Sequence, residues 1–110
     1  MFEQGDIVLV PFPFTDLSTT KQRPALVISK RGYNAKTQDI VTCGITSNLQ
    51  NSDYAVLIDN TDLAEGSIPM KSRIKVGKIF TLKQSLVIKK IAKLKTASFQ
   101  YVKKELQNLI

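Results

Sequence analysis

Histidine is absent from the 110-residue chain and cysteine occurs once. No apolar run comes near the roughly 18 to 20 residues that span a bilayer. Without imidazole, metal sites with histidine ligands, serine triads and histidine-based ribonuclease mechanisms are excluded in their usual forms. Any hydrolytic or transfer chemistry falls to Arg, Lys, Asp, Glu, Tyr or hydroxyl side chains, and no metal or other cofactor is expected. The lone thiol, Cys43, rules out an internal disulfide. Set within IVTCGIT and without a histidine to activate it, it reads as a small buried hydrophobe. The opening MFEQGD lacks the basic stretch and apolar core of a secretory leader, so the expectation is a cytoplasmic protein with no membrane association.

With 43% hydrophobic residues, the chain suits one compact domain, residues 1–110, around one core. Its net charge of +7 is unevenly placed. Residues 1–65 hold five of the 16 Lys/Arg and eight of the nine Asp/Glu, a net of −3, which leaves +10 for residues 66–110. A cationic surface of this size attracts polyanions largely irrespective of their sequence, which makes nucleic acid the first partner to consider.

Short apolar groups separated by turn residues predict a chain of strands. DIVLVPFPF reads as a strand from Asp6 to about Val10, ended by prolines that cannot donate to a ladder. After the polar loop TDLSTTKQ, RPALVISK is a second strand, RGYNAKTQ a turn, DIVTCGIT a third strand and YAVLID a fourth. Asn60 to Gly66 is a short connection or helical turn. IPMKSRIKVGKIFTL alternates apolar with basic residues, with Gly77 at a bulge or bend. LVIKKIAKLK fits either a helix or a strand. Phe99, Val102, Leu106 and Leu109 lie on one face of an amphipathic helix running from about Ala97 to the end. The pattern is mainly β: a small antiparallel barrel with a C-terminal helix.

A symmetric hairpin about the midpoint between Asn34 and Ala35 pairs positions whose numbers sum to 69, so Arg23 stands opposite Thr46. Opposed residues of an antiparallel pair lie about 4.5 to 5.5 Å apart and project on the same face. A guanidinium fork beside a hydroxyl, with Ser47 next to it, suits either a phosphate or the carbonyls of a strand end.

GDIVLVPFPFTDLSTTKQRPALVIS, the strand ending ITSN and the later KIFTL, in that order, resemble the PemK/MazF toxins of bacterial type II toxin–antitoxin systems. The resemblance covers nearly the whole chain. It implies an SH3-like barrel with a C-terminal helix, a homodimer, and metal-independent cleavage of single-stranded RNA at short sequences, leaving a 2′,3′-cyclic phosphate and a 5′-hydroxyl. Arg23 and Thr46 match the catalytic positions. Ser47, Lys21, Lys75 and Lys78 are the candidate RNA-binding residues. The implied protein partner is an antitoxin with an acidic, partly disordered tail lying in the RNA groove.

The chain departs from one branch of that family, in which an R-x-D carries acid and base: the matching positions are Lys75 and Gly77, so the carboxylate is missing. Asp16 and Glu3 are alternative bases, each more in keeping with a solvated or turn residue. Phe12 and Phe14 suit the core better than base stacking. The missing carboxylate keeps open a non-catalytic basic barrel that binds nucleic acid or protein. A gyrase-poisoning toxin needs an aromatic or glycine-ended helix tip, which ELQNLI lacks.

Overall fold

The computed structural model describes residues 2–12 and 21–110, without the side chain of Phe12. Seven strands form one antiparallel sheet: β1 (Asp6–Phe12), β2 (Lys21–Val27), β3 (Asp39–Thr46), β4 (Ala55–Ile58), β5 (Leu63–Gly66), β6 (Ser72–Lys83) and β7 (Lys89–Leu94). A short helix α1 (Arg31–Lys36) joins β2 to β3, and α2 (Thr96–Leu109) closes the chain. The spatial order is β4-β6-β3-β2-β1-β7-β5. This is the mainly β fold with a C-terminal helix expected from the strand pattern.

Period-two alternation splits the apolar residues between the two faces of the sheet. Ile7, Leu26, Cys43, Ile45, Ile74 and Val76 join Phe99 and Val102 of α2 in the larger core. Val8, Val10, Ala25, Val27, Ile40 and Leu82 form a smaller one, with Phe80 packed against it. On α2 the expected face holds for Phe99 and Val102, which are buried, and for Leu106, which packs against the core. Leu109, the last residue of α2, is 40% exposed.

RGYNAKTQ is a helical turn and not a tight β-turn. Its Asn34 is drawn inward, donating from Nδ2 to the carbonyls of Phe2 (3.0 Å) and Ser29 (3.1 Å), while the Ser29 hydroxyl donates to Oδ1. These tertiary bonds turn a residue that favours turns in isolation into a tether for the N-terminus. The register survives the change: Ala25 pairs with Gly44, Leu26 with Cys43 and Val27 with Thr42.

Pro11 and Pro24 sit where the ladder is one-sided. β1 continues through Pro11 to Phe12, further than expected, because β7 covers β1 only from Asp6 to Leu9. Pro24 pairs with Leu9 of β1, and the ladder to β3 starts one residue later. LVIKKIAKLK resolves into a strand, β7. The Asn60–Gly66 connection holds a 3₁₀ turn and also the short strand β5, which pairs with β7.

Gly77 lies in a bulge. The β3–β6 register shifts between Cys43, opposite Ile79, and Gly44, opposite Lys75, so that Val76, Gly77 and Lys78 fall between the two pairs. Across the strand, the Val76 N–H donates to the Tyr54 carbonyl at 3.0 Å.

Candidate functional site

β1, β2, β3 and β6 converge on a cavity of about 370 Å³. Arg23 reaches it from the start of β2, where it pairs with Val10, and Thr46 reaches it from the last residue of β3. Lys75 and Lys78 also line it. In a regular strand, residues three apart face opposite sides. The β6 bulge cancels that alternation, so that Lys75 and Lys78 both line one cavity. Val10, Ile45, Ile79 and Phe80 supply an apolar wall.

Three of the described acids are engaged elsewhere, in ion pairs with other cations. Glu3 pairs with Lys93 (2.8 Å) and Arg31 (3.8 Å), Asp6 with Lys90 (3.4 Å) and Lys93 (3.5 Å), and Glu65 with Lys90 (2.9 Å). This network gathers at the Asp6 end of β1, whereas Val10 lines the cavity four residues along the same strand. The hydrogen bond from Lys93, then its charge and that of Arg31, hold the Glu3 carboxyl below its ordinary range. Among the described residues no carboxylate lines the cavity, and Arg23, Lys75 and Lys78 make no ion pair.

Thr46 Oγ1 accepts the Asn48 N–H at 3.1 Å. With an accepting lone pair already used, its own O–H is available to donate to a bound group. Ser47 is exposed and lines an adjoining cavity of about 250 Å³ that shares Arg23 and Pro24 with the first. Lys21 is exposed at the start of β2 and lines none of the described cavities. The alternative base Glu3 stands outside the cavity lining, within the ion network. Asp16 and Phe14 lie outside the described residues, as does the side chain of Phe12. Cys43 is fully buried, and burial pushes its thiol up to about 12.

Arg73 escaped the reading of the sequence. It pairs with Thr46 across the β3–β6 ladder and donates to the Leu49 carbonyl (3.4 Å) and to Asn51 Oδ1 (3.3 Å), tying the loop after β3 to the sheet. The ladder position opposite Thr46 was the only available pointer, and it requires the β6 register, which the bulge conceals.

Fold and site together define a small β-domain that concentrates uncompensated positive charge beside a strand-end hydroxyl. Residues 3–110 match the family described as PemK-like, MazF-like toxin of type II toxin–antitoxin systems, and the chain belongs to that family. Among solved structures it is similar to an endoribonuclease in complex with its cognate antitoxin from a mycobacterial species, with a TM-score of 0.80, 16% identity, and coverage of 98% of this chain and 93% of that one. It is also similar to MazF from Deinococcus radiodurans, with a TM-score of 0.75, 21% identity, and coverage of 98% and 94%. A chain in the MazE–MazF structure from the same organism gives 0.75, 19%, 98% and 93%. At these identities the likeness is one of fold. No curated protein sequence matches the chain.

Proposed function

We propose that this toxin is a metal-independent endoribonuclease acting on single-stranded RNA, with Arg23 and Thr46 at the scissile phosphate. The observation that carries the reading is the convergence of Arg23, Thr46, Lys75 and Lys78 on one cavity free of described carboxylates. A dianionic phosphorane gains most from fixed donors in such a place, because strand-borne groups need little reorganisation as charge develops. The Arg23 fork donates to two phosphate oxygens and the Thr46 hydroxyl to a third contact. In the reaction, the ribose 2′-oxygen bonds to phosphorus as its proton passes to solvent. The P–O5′ bond breaks, and O5′ takes a proton from an ammonium on the cavity wall, Lys75 or Lys78. The products are a 2′,3′-cyclic phosphate and a 5′-hydroxyl. Ser47 and Lys21, outside this cavity, contact the flanking strand.

The same reading brings partners. A cationic groove accepts the acidic tail of an antitoxin as readily as RNA, in keeping with the antitoxin complex formed by the mycobacterial relative. Leu57 of β4 and Tyr101 of α2, 41% and 66% exposed, flank one cavity and offer an apolar surface for a homodimer. Among the described residues no helix is long and apolar enough to cross a membrane; the site of action is the cytoplasm, where mRNA is met.

Incubation of the purified protein with a long single-stranded RNA in excess EDTA tests the proposal. Discrete cuts bearing cyclic phosphates, abolished in Arg23→Ala, are expected. A second reading, a barrel that binds RNA without cutting it, is favoured by one observation: Gly77 leaves the bulge without a carboxylate. RNA retained intact by the folded protein would establish that reading.

A further inference from the structure

Next to the cationic cavity lies a second one, of about 280 Å³, formed by the loop between β3 and β4. Its lining is Thr46, Asn48, Gln50, Asn51, Ser52 and Lys75, with no apolar side chain among them. Thr46 and Lys75 belong to both cavities. A ligand group held by those two residues therefore has its neighbour at the mouth of the amide-lined cavity.

The orientation of the two asparagines follows from their partners. Asn48 Oδ1 accepts the backbone N–H of Gln50 at 3.1 Å, and Asn51 Oδ1 accepts from the Arg73 guanidinium at 3.3 Å. A backbone N–H and a guanidinium can only donate, so each carboxamide must turn its oxygen to the loop. Both amino groups are left without a partner among the described residues. Asn48, Asn51 and Lys75, all of which line the cavity, thus each bring it a donor group, and the Gln50 amide and Ser52 hydroxyl can donate as well. The loop that carries them is held at both ends. At its start Thr46 Oγ1 accepts the Asn48 N–H, and at its end Tyr54 takes a left-handed φ of 56° while its carbonyl accepts from Val76. The donors are thus in place before a ligand arrives, which lowers the ordering cost of binding.

We infer that this cavity is a nucleobase subsite for the nucleotide adjoining the scissile phosphate, and that its donor set selects a base with two adjacent acceptors. Guanine offers O6 and N7, and cytosine offers O2 and N3; adenine and uracil have no such adjacent pair. Sequence-specific readers of single-stranded RNA hydrogen-bond splayed bases along such edges. The inference rests on the cationic cavity holding RNA phosphate, as proposed above. Asn48 and Asn51 are specificity-determining residues and take no part in the chemical step.

The test replaces donors by acceptors while keeping the loop. In Asn48→Asp/Asn51→Asp, one carboxylate oxygen at each position still accepts from Gln50 N–H or Arg73, and the other stands where the amino group was. Wild type and variant are each incubated in excess EDTA with a randomised single-stranded RNA pool, and both the cut ends and the uncut RNA retained by the protein are sequenced. Added negative charge weakens all RNA binding alike, so the readout is the ratio between bases at each position. The wild type is expected to enrich guanine or cytosine at one position beside the cut. The double variant should lower that ratio about tenfold or more, within the range for losing one good bidentate base contact, and leave the chemistry of the ends unchanged. Asn48→Asp alone should fall between them. An unchanged ratio in a folded double variant, or no base preference in the wild type, would overturn the inference. If neither protein cuts, the retained RNA still reports base preference, so failure of the cleavage proposal is separable from failure of this one.

Discussion

Removing the Arg23 guanidinium should separate function from stability. Arg23 is exposed and makes no ion pair among the described residues, so Arg23→Ala should change folding stability by no more than about 0.5 kcal/mol. Its effect on the reaction should be far larger. Loss of one preorganised donor to a developing oxyanion costs about 10²- to 10³-fold in rate, equivalent to about 2.7 to 4 kcal/mol of barrier. Arg23→Lys keeps the charge and loses the fork, and should recover only part of that loss. The assay is single-turnover cleavage of a labelled RNA at saturating protein, with urea unfolding of each variant alongside. Saturation matters, because a residue that merely attracted RNA would show its whole defect in binding and none in the bound rate. A bound rate for Arg23→Ala within about threefold of wild type would refute the placement of Arg23 at the phosphate.

Gly77→Asp should be accommodated, since a Cβ there meets no atom within 4 Å; it restores a carboxylate beside Lys75 and Lys78, and the bound cleavage rate should rise with stability unchanged. Gly66→Ala changes no residue of the site but should destabilise the fold: its Cβ would lie 2.1 Å from the Ile91 carbonyl oxygen at a φ of 71°, and urea unfolding should show a loss of several kcal/mol. Cys43, with its thiol pushed to about 12, should resist alkylation at pH 8 until the protein is unfolded. Stability should also depend on pH at both extremes. The Glu3 and Glu65 carboxyls are depressed by Lys93 and Lys90, so their contribution is present above the ordinary value of 4.5 and is lost as pH falls through the lowered folded values. Lys90 and Lys93 are raised by Glu65 and Glu3, so theirs is present below 10.5 and is lost as pH climbs through the raised values. Thermal melts of Glu3→Gln should accordingly show a shallower acid-side decline than wild type.

The β2–β3 register was legible because apolar residues alternate on both sides of Asn34, and a one-residue slip would have turned the whole set outward. A helix where a turn was expected left the register untouched, since α1 spans the same interval with its ends in the same place. Strand β5 was not legible: LAEG is too short to show a period, and it is ordered by pairing with β7, nearly thirty residues away in sequence. The joint presence of Lys75 and Lys78 in one cavity was hidden for a related reason, because strand periodicity sets them on opposite faces and only the bulge reunites them. Charge composition gave the basic C-terminal half, yet the consequential fact is which lysines remain unpaired. Lys90 and Lys93 are taken by Glu3, Asp6 and Glu65 across the β1–β7 and β5–β7 ladders, a long-range pairing that no local window contains.

The cations left unpaired by that network should attract polyanions over a range that the medium sets. The folded domain measures 32 × 31 × 29 Å. At about 0.01 M salt the screening length is about 30 Å, so the unpaired cations project a field across a distance equal to the whole protein and turn an approaching strand before contact. At about 0.15 M that reach shrinks to about 8 Å, and an RNA must already be grazing the surface to be oriented. If the proposed function holds, capture at cellular ionic strength should depend on collision frequency and local search along the strand. Cleavage rates taken in dilute buffer would reward the field, and rates at cellular ionic strength would reward the fit.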